Sequence, residues 1–292
     1  MSLLQAIFMG ILQGLTEFLP VSSSGHLAIF KNLFHIKTDT GILFDVLLHV
    51  GTLAAVFIVY RKDIGRMILE GFGLLGDACR NVGIFFQNKF GKKNLAYRKV
   101  IKNAYRKFDM LVIVSTIPTG IIGFVAKDLV EAASEILLIP GICLIVTAVL
   151  LVISDRLPEG KKTPKNVTYT NAFSIGICQG IATLPGLSRS GTTITACVAS
   201  GFDRSFAVKY SFIMSIPAIL GAAVLELKDI GSVKVTAPEV ASYIVGMLVA
   251  AIVGYICIKT LLVIVRKKKF TYFAIYCLAM GILSIVGYFV LV

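Results

Sequence analysis

Two stretches of this chain, 166 residues apart, are versions of one polar hairpin set in apolar sequence. Ala6 to His26 reads A-I-F-M-G-I-L-Q-G-L-T-E-F-L-P-V-S-S-S-G-H, and Ala172 to Thr192 reads A-F-S-I-G-I-C-Q-G-I-A-T-L-P-G-L-S-R-S-G-T. Without a gap, Ala6, Gly10, Ile11, Gln13, Gly14, Ser22, Ser24 and Gly25 fall on Ala172, Gly176, Ile177, Gln179, Gly180, Ser188, Ser190 and Gly191. Polar, Gly- and Pro-broken backbone at membrane depth is tolerated only where it is buried in protein or lines a wet cavity. Paired broken segments in the two halves of a membrane protein therefore point to its site.

The surrounding sequence supplies the membrane. The chain is 57% hydrophobic with a mean hydropathy of +0.86, far above a soluble domain. Apolar runs recur at Leu47–Tyr60, Leu111–Ala126, Ile136–Ile153, Ile213–Leu227, Ile244–Val265 and Phe270–Val292. Most are long enough to cross roughly 30 Å of hydrocarbon, so an all-α polytopic membrane protein is expected. The first apolar run lacks a basic flank and leads into polar residues, which argues against a cleavable signal peptide. Six cysteines show no C-x-x-C spacing and read as small hydrophobes within helices.

The formal net charge of +13 is unevenly spread. Residues 61–107 hold twelve bases against Asp63, Glu70 and Asp77. Between spans, such a cluster reads as a cytoplasmic loop touching anionic lipid rather than as a nucleic-acid surface. The connections 155–171 and 266–269 are basic too, whereas 127–135 and 228–239 carry acids and are expected outside. Crossings at 43–60, 108–126, 136–154, 207–227, 240–265 and 270–291 satisfy these sides only if the hairpins at 3–30 and 172–203 do not cross. Each half is then a re-entrant helical hairpin plus three transmembrane helices, and the halves are inverted-topology repeats. Repeat 1 covers 1–154 with the basic insertion 61–107, 155–171 is a linker, and repeat 2 covers 172–292, all one membrane domain. The hairpin tips are expected to meet near the midplane. Within the insertion, Ile64, Met67, Ile68, Phe72 and Leu75 recur at helical spacing, which predicts an interfacial amphipathic helix.

Ionisable groups at membrane depth are costly and mark function. Glu17 lies four residues after Gln13, so both share a helix face and could hold a divalent cation, order a water or make a packing hydrogen bond. In Pro20-Val-Ser-Ser-Ser-Gly-His26, the serines can cap the next helix. Ser23, three residues before His26, also suits a nucleophile beside its base. Pro185-Gly-Leu-Ser-Arg-Ser-Gly-Thr-Thr193 offers helix N–H groups, Ser188, Ser190, Gly191, Thr192, Thr193 and Arg189, an oxyanion cradle. An Arg189–Glu17 pair joining the hairpins is compatible with that role. Asp45 and His49, i and i+4, form a supporting pair for the same cavity or a structural one. His35 sits in a polar connection and is expected to play no part. The Gly10/Gly14 and Gly176/Gly180 spacings read as close helix-packing faces. An anion cradle, a serine–histidine pair and an acid at midplane depth suit a phosphate or diphosphate on a lipid.

Gln13-Gly-Leu-Thr-Glu17-Phe-Leu-Pro-Val-Ser-Ser-Ser-Gly-His26 and Pro185-Gly-Leu-Ser-Arg189-Ser-Gly-Thr-Thr193 resemble the two signatures of the undecaprenyl-diphosphatase, or bacitracin-resistance, family, and the likeness covers essentially the whole chain. The resemblance implies hydrolysis of undecaprenyl diphosphate to the monophosphate and phosphate, recycling the carrier lipid for cell-wall peptidoglycan synthesis. It also implies a bacterial plasma-membrane protein with its site toward the outer face and a divalent cation, Mg²⁺ or Ca²⁺. Where the family pattern has Glu or Gln before its second acid, Gln13 stands here, leaving Glu17 as the essential acid.

The mechanism expected from these residues has the diphosphate on Ser22, Ser24, Arg189 and the Ser188–Thr193 turn, with the cation on Glu17 and Gln13. Ser23, deprotonated by His26, attacks phosphorus; in a competing version His26 activates water and Ser23 only binds. The rival class is a lipid-phosphate flippase or transporter, which inverted repeats suit equally well but which has no need of Ser23, His26 and Glu17 together. A filter-type channel finds no support. The Gly-rich faces allow a homodimer without specifying one.

Overall fold

The computed structural model describes residues 2–33, 41–91, 93–227 and 237–291; His35, Lys228, Asp229 and Lys234 lie outside them. The described residues fold into helices in the order α1 (Leu3–Phe18), α2 (Ser23–Leu33), α3 (Gly41–Val59), α4 (Arg61–Phe90), α5 (Ala104–Val125), α6 (Lys127–Ser134), α7 (Leu138–Arg156), α8 (Tyr169–Ile181), α9 (Arg189–Ala199), α10 (Arg204–Leu227), α11 (Ala237–Arg266) and α12 (Thr271–Leu291).

Length separates two kinds of element. Among the described residues, α5, α7, α10, α11 and α12 are long and apolar enough to span, and the α3–α4 pair, bent by 87°, brings the number to six if it is one span. The helices α1, α2, α8 and α9 have 16, 11, 13 and 11 residues. At 1.5 Å per residue they are about 16–24 Å long, short of the hydrocarbon thickness. Pro20 and the serines end α1 and start α2; Pro185-Gly does the same between α8 and α9.

The two hairpins repeat the same hydrogen bonds at their turns. Gly25 N donates to Ser22 Oγ at 3.2 Å, and Gly191 N to Ser188 Oγ at 3.1 Å. The Ser22–Ser24 and Ser188–Ser190 hydroxyl pairs are each 3.3 Å apart. The shared Ser-x-Ser-Gly therefore caps α2 and α9 in the same way. The tips also touch reciprocally: a Cβ on Gly25 would lie 2.6 Å from Gly186 Cα, and one on Gly191 would lie 3.3 Å from Pro20 Cβ.

Packing partners are exchanged likewise. Gly10 and Gly14 bring α1 against Gly246, Ala250 and Val253 of α11, while Gly176 and Gly180 bring α8 against Ser115, Pro118 and Ile122 of α5. The helices α7 and α12 cross where Gly141 meets Gly281. Small residues let backbones approach where lipid offers no hydrophobic drive for helix association. An aromatic layer fills the bundle between α1, α3 and α10, with Phe18–Phe212 ring centroids 5.3 Å apart and Tyr60–Phe212 at 6.5 Å.

The predicted amphipathic helix is present and longer than its sequence stripe suggested. It runs on to Phe90 because Cys79, Val82, Phe86 and Phe90 continue the i, i+3, i+4 pattern.

Candidate active site

Glu17 ends α1 on its buried face, 6% exposed. One carboxylate oxygen, Oε1, meets Arg189 Nη2 from the first turn of α9. The other, Oε2, accepts from Ser23 Oγ at 2.8 Å and from Gln13 Nε2 at 3.1 Å. His49 Nε2 stands 3.9 Å from the same oxygen. Four sequence-predicted groups from four helices, α1, α2, α3 and α9, thus converge on one carboxylate, so that a buried charge is paired and hydrogen-bonded.

The position of Ser23 depends on the residue before it. Ser22 has φ +69, left-handed backbone that costs a non-glycine residue about 1–3 kcal/mol. His26 holds this turn in place. Its Nδ1 donates to Ser22 O at 2.8 Å, and Nε2 lies 2.7 Å from Tyr276 Oη of α12, with the two rings stacked. Since a carbonyl only accepts, Nδ1 carries the proton and Nε2 takes the tyrosine O–H. Both nitrogens are occupied and the ring is 1% exposed, so the expected Ser23–His26 pair is not formed; the base within reach of Ser23 is Glu17.

The predicted cradle divides in two. Ser188 Oγ caps α9, Gly191 N is taken by that cap, and Thr193 Oγ1 bonds Arg189 O at 2.8 Å and Ser211 Oγ at 2.6 Å. Ser190 Oγ reaches Leu19 O at 3.4 Å. These groups hold hairpin to hairpin and to α10. Arg189 Nη1 and Thr192 Oγ1 are buried without a partner; Arg189 lines the space beside Glu17 and Ser23, and Thr192 is not among the residues lining it. The Asp45–His49 contact runs through the backbone: His49 Nδ1 donates to Asp45 O at 2.8 Å, which turns Nε2 toward Glu17.

A cavity of about 320 Å³ opens here, lined by Glu17, Ser23, Ser24, His49 and Arg189. It is also lined by Thr183, Ser215 and Gln179, which the sequence reading missed. The 166-residue offset could have found them. It carries Glu17 to Thr183, Ser23 to Arg189 and His49 to Ser215, and both copies of these three positions face one space; it also carries the buried Gln13 to Gln179, of which only Gln179 lines the cavity. A larger cavity, about 430 Å³, lies between the starts of α5 and α10 and the end of α11. From the hairpins it takes only Asp203, whose carboxylate caps α10 at Phe206 N, and its Asp63 is neutralised by Lys209 at 3.0 Å, so chemistry rather than size selects the smaller one.

The chain also matches known proteins along nearly its whole length. The family model described as bacitracin resistance protein BacA matches residues 6–283. The chain is 39% identical over 287 residues to the undecaprenyl-diphosphatase of Methanosphaera stadtmanae, covering 98% of each protein. It is 41% identical over 281 residues to that of Alkaliphilus metalliredigens, covering 96% of this chain and 97% of the relative. Against that of Desulforapulum autotrophicum it is 40% identical over 291 residues, covering 99% and 100%. With its two hairpins, its Glu17–Ser23–Arg189 cluster and near-complete coverage, the chain belongs to the BacA bacitracin-resistance family.

Proposed function

We propose that this protein is an integral-membrane phosphatase that hydrolyses undecaprenyl diphosphate to undecaprenyl phosphate and inorganic phosphate, the activity for which its relatives are named. Carrier-lipid recycling for cell-wall synthesis and bacitracin resistance follow from that reaction. One contact set carries the reading: Ser23 Oγ is 2.8 Å from Glu17 Oε2, and Arg189 holds the other carboxylate oxygen at the wall of the same cavity.

Arg189, through the unbonded Nη1, binds the diphosphate at the α9 N-terminus, where the helix dipole favours an anion. Ser23 Oγ attacks the terminal phosphorus as its proton passes to Glu17, within general-base range. The new Ser–O–P bond replaces the bond to the bridging oxygen, which leaves with its electron pair on the lipid monophosphate. The proton on Glu17 passes to the departing lipid monophosphate, which returns Glu17 to its carboxylate form. Water then attacks the phosphoserine as Glu17 takes a proton from it, and phosphate departs as that proton passes to Ser23 Oγ. Fixed donors around the phosphoryl oxygens supply most of the acceleration. His26 acts as a positioning residue, clasping Ser22 so that Ser23 faces Glu17.

The family implies a divalent cation. Among the described residues no three His, Cys, Asp or Glu gather, so the protein's donors would be Glu17 and the Gln13 Oε1 oxygen, which is buried and unpartnered. That set suits Mg²⁺ or Ca²⁺ keeping water and sharing the substrate's own phosphate oxygens. Bound there, the ion would neutralise charge developing on the transferred phosphoryl group.

The short hairpins, their reciprocal tip contacts and the exchanged α1–α11 and α8–α5 packing support inverted repeats with two re-entrant hairpins; the twelve bases of residues 61–107 support a cytoplasmic place for that insertion, and the family resemblance supports a site opening outward. The same architecture would serve a lipid-headgroup carrier, but transport gives no use for a serine hydrogen-bonded to a carboxylate. The test is covalent trapping: acid quench during turnover of terminally ³²P-labelled substrate should leave label on Ser23. Full-rate phosphate release by Ser23→Ala would end the nucleophile assignment.

A further inference from the structure

The α4 helix and residues 93–103 form a unit that the proposed chemistry does not use. The pair is tied together by side chain–backbone bonds. Asn81 exchanges two hydrogen bonds with Arg98, Nδ2 to O and N to Oδ1, each 2.8 Å. One heptad on, Asn88 does the same with Leu95 at 2.9 and 2.8 Å. The acids of the insertion are turned inward and satisfied. Glu70 takes Arg106 Nε at 2.8 Å, Asp77 takes Arg106 Nη1 at 2.6 Å and Lys102 Nζ at 2.5 Å, and Asp63 takes Lys209 at 3.0 Å.

The bases are left outside. Lys62, Arg66 and Arg80 share one exposed flank of α4, spaced by four and fourteen residues, and among the described residues no carboxylate lies within ion-pair reach of them. Beside that flank runs an exposed apolar stripe, Ile68, Phe72, Leu75, Val82, Phe86 and Phe90, with Phe72 70% and Phe90 72% exposed. Lys89 Nζ lies 5.5 Å from the Phe85 ring centroid and 5.8 Å from that of Phe90, a long side chain laid over aromatic surface with its charge at the edge. The helix leaves α3 at 87°, so a spanning α3 directs α4 along the membrane surface.

From this arrangement we infer that α4 is a docking surface for an anionic leaflet, its stripe set among the acyl chains and its one-signed flank on lipid phosphates. An apolar stripe with a basic border is what separates an anionic lipid surface from a neutral one. The internal ion pairs matter because they stop Glu70 and Asp77 from cancelling that border.

The chain contains no tryptophan, so Phe72→Trp gives a single reporter in the full-length protein. In nanodiscs of neutral phosphatidylcholine containing brominated lipid, the reporter is expected to be quenched. Adding phosphatidylglycerol should shift its emission further to the blue and increase quenching. Lys62→Gln/Arg66→Gln/Arg80→Gln in the same background should lose the phosphatidylglycerol-dependent part and keep the neutral-lipid part. Cys79, exposed and free on the stripe, gives a second reading without that substitution: in phosphatidylglycerol nanodiscs it should resist a water-soluble maleimide. Emission at the solvent position with no quenching would overturn the proposal. So would quenching that ignores both phosphatidylglycerol and the charge variant, or Cys79–Cys79 cross-links showing that a second copy covers the stripe.

Discussion

At the scale of single residues, the account turns on which group takes the Ser23 proton. Glu17→Gln keeps the shape of α1 and removes the base; phosphate release is expected to fall by roughly 10²–10⁴, the usual worth of a positioned base. His26→Gln should behave differently. It loosens the Ser22 clasp, a loss of about 1–3 kcal/mol for buried hydrogen-bonding groups, so activity and thermal midpoint drop together while the shape of the pH–rate profile stays. Tyr276→Phe should reproduce part of that drop. Disappearance of the profile's acidic limb in His26→Gln would return the base to His26. Most of this cluster was readable from the chain: Glu17, Gln13, Ser23 and Arg189 are polar groups in apolar sequence, and the structure brings them into contact. The role of His26 was not readable, because its partner Tyr276 lies 250 residues away and a tyrosine in an apolar run gives no local signal. Thr193 was misjudged for a similar reason, since its partner Ser211 belongs to the next helix.

At the scale of elements, glycine contacts decide how the hairpins are held. A Cβ on Gly14 would lie 2.8 Å from Val253 Cβ, and one on Gly180 would lie 2.7 Å from Ile122 Cβ. Gly14→Ala and Gly180→Ala should each destabilise by about 1–3 kcal/mol through overpacking. Gly120→Ala, which would meet nothing within 4 Å, should be neutral or stabilising by up to about 1 kcal/mol through helix propensity; thermal unfolding in detergent separates the three. The insertion gives a pH prediction. Lys102 and Arg106 hydrogen bonds hold the Asp77 carboxyl down at about 2, from an ordinary 3.8. A lowered folded-state value means the stabilisation is complete above the ordinary value and is lost as the pH falls through about 2. Residues 93–103 should therefore stay protected from proteolysis at pH 5 and open between about pH 4 and 2. Release already at pH 5 would show that Asp77 does not hold them. The stripe of α4 was visible in sequence from its period, but its strap was not: residues 93–103 carry no periodicity, and their register is set by Asn81 and Asn88.

For the whole molecule, hydropathy was enough to expect an all-helical membrane protein, and among the described residues five helices are long and apolar enough to span, six if the bent α3–α4 pair is one span, because length rules in a membrane leave few alternatives. The cavity itself was less legible, since it forms only where Thr183, Ser215 and Gln179 of the second half meet Glu17, Ser23 and His49 of the first. Chelator should abolish turnover and Mg²⁺ or Ca²⁺ restore it, if the substrate's phosphates complete the ligand set begun by Glu17 and Gln13. The most direct test of a single phosphatase site built by both hairpins is phosphate release from a polyprenyl diphosphate by purified protein, with Glu17→Gln and Arg189→Gln assayed beside it. The account predicts metal-dependent release by the native chain and its loss in both variants, although they lie in opposite halves. Folded, lipid-binding protein that releases no phosphate, or an Arg189 variant that turns over at the native rate, would contradict it.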